Sequence, residues 1–127
     1  MNSLPAIDPA LLNRVTALRR DLHRHPQLGY EETYASQAVQ RELARVGVDT
    51  VRIAATTGVL ATLIPTDPKA RQRPGVALRA DMDALPIGEA SGVEHASLTP
   101  GLMHACGHDG HTAALLGAAE LIAAGRD

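Results

Sequence analysis

Residues 110–124 constrain the fold more than any other stretch of this chain. Ala113, Ala114, Leu115, Leu116, Ala118, Ala119, Leu121 and Ile122 make the run apolar or small almost all round, and Gly125 reads as its stop. A helix of that kind is buried on several sides. The rest of the 127 residues must therefore cover it, and they must do so with Ala, Val, Leu and Ile. The chain has no Phe and no Trp, and those smaller side chains bury less area per residue than aromatic ones.

The cover is legible. Asp8-Pro9 reads as an N-cap followed by proline at the first helical position. Leu11, Leu12, Val15, Leu18 and Leu22 then recur at helical spacing, which predicts an amphipathic helix over about 9–25, stopped by Pro26. Residues 26–29 form a turn. A second helix is expected at about 31–46, with Glu31 and Glu32 near its positive end and Gly47 past its last turn. The runs 48–53 and 59–64 are β-rich and separated by Thr56-Thr57-Gly58. Residues 65–75 carry three prolines and read as an exposed loop, Val76-Ala77-Leu78 as a third short strand, and 81–101 mostly as loop. The fold class is α/β, with helices packed around a mixed sheet. Two helices and three short strands cover residues 110–124 poorly. The chain is therefore expected to be the front part of a longer protein whose missing portion follows residue 127.

Charge excludes some function classes. The net charge is −2 and no basic block occurs, so neither a nucleic-acid nor a membrane-surface partner is expected. Met1 to Ala10 shows no signal-peptide pattern, and no apolar run approaches membrane-spanning length. A single cysteine cannot make an intrachain disulfide, which suits a cytoplasmic location. Phosphate-binding glycine loops and a serine nucleophile elbow are absent.

Chemistry concentrates at one place. Seven Cys and His residues are spread over the chain, and four of them fall within 104–111: His104, Cys106, His108 and His111, with Asp109 among them. Thiolate, imidazole and carboxylate are transition-metal ligands. Cys106 and His108, two residues apart on a glycine turn that feeds a helix, can reach one ion. The competing reading is a buried free cysteine beside surface histidines. Asp81 and Asp83 follow the expected third strand. Residues i and i+2 of an extended segment point the same way, so both carboxylates can face one site just past a strand end, where open α/β sheets place their chemistry. They can equally cap an exposed turn. His23 and His25, at a helix C-terminus, read first as partners of the helix dipole. Glu31 and Glu32 read as helix-start acids, and His95 as a solvated loop residue.

Three blocks together resemble a known family: Leu22 to Glu32 (LHRHPQLGYEE), Arg79 to Ile87 (RADMDALPI) and Gly101 to Thr112 (GLMHACGHDGHT). They are similar to the M20 metallopeptidases and amidohydrolases, in the branch of hippurate hydrolases, N-acyl-amino-acid amidohydrolases and indole-acetyl-amino-acid hydrolases. The resemblance implies that residues 1–127 are the N-terminal part of an α/β catalytic domain, followed in full-length members by the rest of that domain and an inserted lid that often mediates dimerisation. It implies two divalent metals (zinc, manganese, nickel or cobalt) that activate water against the amide bond of an N-acyl amino acid or short peptide-like substrate. It makes Cys106 and His108 metal ligands and Asp83 the acid supporting a ligand. Asp81 falls where other branches place a ligand histidine. The glutamate base and the remaining ligands would lie beyond residue 127, so the chain alone is expected to be inactive. Two other readings compete. One is a non-catalytic metal-binding or interaction module using His104, Cys106, His108 and His111. The other, a thiol-redox protein built on Cys106, lacks a resolving cysteine.

Overall fold

Asp8 caps the first helix as its sequence position suggests. Its Oδ1 accepts the Ala10 N–H at 3.0 Å, Pro9 takes the first helical position, and α1 runs Pro9–Arg24. The structure, a computed structural model, describes residues 7–126. The first six positions of the segment read above for a signal peptide lie outside the described residues. Pro26, fully buried, ends α1 at a turn that leads into α2, Thr33–Val46. The second helix starts two residues later than expected because Glu32 does not sit inside it. Its carboxylate instead accepts the Thr57 hydroxyl at 2.5 Å in a buried contact. Gly47 closes α2 in the left-handed region, at φ 77°.

β1, Thr50–Ala54, and β2, Gly58–Thr62, form an antiparallel hairpin with Thr50 opposite Thr62 and Ala54 opposite Gly58. Glycine is required at 58, where a Cβ would stand 2.8 Å from the Ala54 carbonyl oxygen. One face of β2, through Val59 and Ala61, packs on a cluster of Val39, Leu43 and Leu116. A short 3₁₀ turn, Ala70–Gln72, lies within the expected loop. The third expected strand does not form: Val76 and Leu78 are 88% and 56% exposed, and the sheet among the described residues has two strands. An apolar triplet becomes a strand only against a neighbour that completes its hydrogen bonds, and here none is adjacent.

The apolar helix is α3, His108–Ala124. It packs against α1 and α2, and it approaches α1 closely at Gly117, where a Cβ would stand 2.9 Å from Val15 Cγ2. Glu120 takes ion pairs from Arg14 of α1 and Arg45 of α2, which ties the three helices at one end. Ala113 and Leu116 are buried, while Leu121 and Ile122 stay 53% and 47% exposed. The expected cover thus exists on one side only. No described helix is long and apolar enough to cross a membrane.

Candidate metal centre

The cysteine-histidine turn forms by local rules. Gly107 takes φ 80°, a conformation that costs a side-chain-bearing residue energy. That single left-handed residue lets α3 begin at His108, two positions before the sequence suggested. Gly110 and His111 return their N–H groups to the Gly107 carbonyl at 3.0 and 3.1 Å. Cys106 sits before the turn, free and exposed.

Asp83 arrives from 25 residues away. Three contacts strap its segment in place. Ala84 N–H donates to Gln27 O at 2.8 Å, Leu85 and Met103 exchange two backbone bonds of 3.0 Å, and the Thr112 hydroxyl donates to Asp81 O at 2.9 Å. The Asp83 carboxylate then stands 3.0 Å from His108 Nδ1, and the Asp83 carbonyl lies at the same distance. With two acceptors facing it, Nδ1 carries the proton, so the Nε2 lone pair is free to bind a cation. A carboxylate behind a histidine is the arrangement that orients metal-ligating imidazoles. His108 and the exposed Cys106 therefore fit a divalent metal by donor type and, for His108, by proton placement. Catalytic zinc sites use three protein ligands. Among the described residues no group of three or more His, Cys, Asp or Glu is placed to hold an ion, so these residues amount to part of a site.

Other candidates are placed differently. Asp81 points its carboxylate at Arg79. His111 is exposed, with its ring 5.8 Å from that of His108. His104 is buried, and its Nδ1 has no partner. Burial holds its pKa below the ordinary histidine value, with the charge of Asp109 acting in the opposite direction. A four-residue local site from His104, Cys106, His108 and His111 is not assembled among the described residues, where His104 is buried and Cys106 is exposed. His95 is not simply solvated, since Arg19 reaches its Nε2 at 2.9 Å and it is partly buried. Sequence reasoning also undervalued His23. The ring is 3% exposed and meets Asp109 and Glu89. Nothing local marks these partners, which come from 86 and 66 positions away.

Comparisons with known proteins place this geometry. The sequence profile of peptidase family M20/M25/M40 matches residues 77–127, the stretch that contains Asp83, Cys106 and His108. A solved Bacillus subtilis structure, the YXEP protein, described as a dinuclear metal-binding peptidase of the M20 family, superposes with a TM-score of 0.86 at 38% identity. The match covers 94% of this chain and 33% of that one. Residues 77–127 thus belong to peptidase family M20. Among M20 relatives, the IAA-amino acid hydrolase ILR1-like 5 of Arabidopsis thaliana is 49% identical over 108 residues, 85% of this chain and 24% of its own length. The N-acyl-L-amino acid amidohydrolase of Geobacillus stearothermophilus is 49% identical over 115 residues, 89% of this chain and 30% of its own. The chain thus spans about a quarter to a third of the length of these relatives.

Proposed function

We propose that residues 1–127 form the N-terminal part of the catalytic domain of an M20 amidohydrolase that cleaves N-acyl amino acids, hippurate-like conjugates included, into a carboxylic acid and an amino acid. The observation that carries this reading is the hydrogen bond from His108 Nδ1 to Asp83 beside the exposed Cys106. The relatives support the substrate class, since IAA-amino acids and N-acyl-L-amino acids share an amide between an acyl group and an amino acid.

Cys106 as thiolate and His108 through Nε2 are the two ligands this chain supplies to a pair of divalent metals. A thiolate favours zinc, cobalt, nickel or another late transition metal over magnesium. Bound there, the metals supply the Lewis acidity that makes water nucleophilic near neutral pH and polarises the amide carbonyl. Asp83 keeps the His108 proton on Nδ1 and fixes the ring. Asp81, held by Arg79, supports the segment rather than the ion. The base that takes the water proton and passes it to the departing amine lies in the longer protein, which acts as a cytoplasmic homodimer on small molecules rather than on nucleic acid or membranes.

The test uses the longer protein, with benzoate release from hippurate and metal content as readouts. Cys106→Ser is expected to lose metal and activity together. Asp83→Asn is expected to weaken metal binding by about 10–100-fold, the usual effect of removing an outer carboxylate. Normal metal content and activity in Cys106→Ser would sink the reading.

A further inference from the structure

The segment that carries the two ligands is gripped at both flanks by one imidazole. His23, near the end of α1, is almost wholly buried. Its Nδ1 lies 2.8 Å from Asp109 Oδ2, and its Nε2 lies 3.1 Å from Glu89 Oε1. Asp109 follows the ligand His108 directly, and its side chain is fully buried. Arg19, one turn earlier on α1, places Nε 2.8 Å from the same Asp109 oxygen. Glu89 anchors the other flank. It accepts the Ser91 hydroxyl and, at 2.5 Å, the Ser97 N–H. Leu98 N–H reaches back to Arg24 O of α1 at 2.9 Å.

Both ring nitrogens thus face carboxylate oxygens, and each must donate a proton to make its bond. A longer approach of Arg19 Nη2 to Nδ1, at 3.5 Å, does not compete with the Asp109 contact. The result is a cluster in which the half-exposed Arg19 guanidinium and the buried His23 ring meet the buried carboxylates of Asp109 and Glu89 across three separate pieces of chain. The stretch between its two carboxylate anchors, residues 90–108, includes Cys106 and His108.

We propose that His23 and Glu89 are positioning residues for the metal site, and that they set the ligand segment by clamping Asp109 on one side and the 89–97 loop on the other. The proposal rests on Cys106 and His108 being ligands. It assigns no substrate contact to His23, and it predicts an effect on metal binding that loss of stability alone does not produce.

Cobalt(II) titration of the metal-free longer protein provides the test, read from the thiolate-to-cobalt absorption and the visible d–d bands. His23→Ala is expected to weaken cobalt binding by about 10–100-fold, as loss of a ligand-orienting partner does, and to shift the bands. Leu11→Ala is the control. It opens a cavity on the same α1 helix, more than three turns from His23, and is expected to leave affinity and spectrum as they were. Equal effects from the two variants, or an unchanged His23→Ala, would overturn the proposal. If His23→Ala does not fold, Glu89→Gln decides: weaker cobalt binding with shifted bands supports the clamp, and binding like the unaltered protein overturns it. Absence of a thiolate-to-cobalt band in the unaltered protein would remove the ligand assignment itself, and this proposal with it.

Discussion

At the scale of single residues, the site divides into what a short window shows and what it does not. Cys106 and His108 are visible because ligand types crowd a glycine turn, and that turn needs only its own backbone. Asp83 was visible as half of a pair, but the pair does not act as one: Asp83 meets His108, while Asp81 meets Arg79. The choice between them depends on straps from Gln27, Met103 and Thr112, which no local pattern shows. Glu89 attracted no attention in the sequence, yet it is held well below its ordinary value, at about 2. The Ser91 hydroxyl contributes most, then the Ser97 N–H, with His23 assisting. Because its folded value is depressed, its stabilisation is complete above about pH 4.5 and is lost as pH falls from there toward about 2. Glu89→Gln is expected to flatten the dependence of stability on pH across that window, measured by chemical denaturation at a series of pH values. A variant that follows the parent curve would show that Glu89 is not tied down as described.

Among the elements, the three helices were readable to within two residues at each end, because caps and periodicity are local. α1 begins at its Asp-Pro signal, and α2 ends at its glycine. The strands were readable only where a hairpin made both partners neighbours in sequence. Val76-Ala77-Leu78 has the composition of a strand, but its partner is not among the described residues. The small residue at 117 gave no signal as a contact, yet it sets how near α3 lies to α1. Gly117→Val is expected to destabilise by about 1–3 kcal/mol, the usual cost of forcing extra volume into a tight contact, seen as a lower midpoint in urea with an unchanged slope. An unchanged midpoint would mean that the helices separate freely, against the 2.9 Å approach.

For the whole molecule, one face is finished and the other is not. On the unfinished side a groove of about 1240 Å³ runs between β2, α3 and the stretch 76–83, past Val59, Leu78, Met82, Leu115 and Ile122. That is larger than the 300–1000 Å³ or so of a small-molecule pocket, and it follows from the apolar face that α3 carries through Leu115 and Ile122. The sequence announced the problem through composition, and the structure shows which face carries it. The isolated 127-residue chain is expected to bind a fluorescent hydrophobic dye strongly and to aggregate beyond a dimer, whereas the longer protein binds little dye and stays a discrete homodimer. Light scattering that finds the short chain monomeric and dye-free would contradict this.

The grip on the ligand segment also fixes an order of events in folding. The Cys106–His108 turn closes over two residues, whereas the His23–Asp109 contact closes a separation of 86. Loop closure over such a separation carries a larger entropic cost and is slower. Cys106 and His108 therefore become neighbours early, and their orientation is fixed only when α1 docks on α3. On the proposed ligand roles, tight capture of metal becomes a late event in folding, one that reports the assembly of helices rather than the formation of the turn.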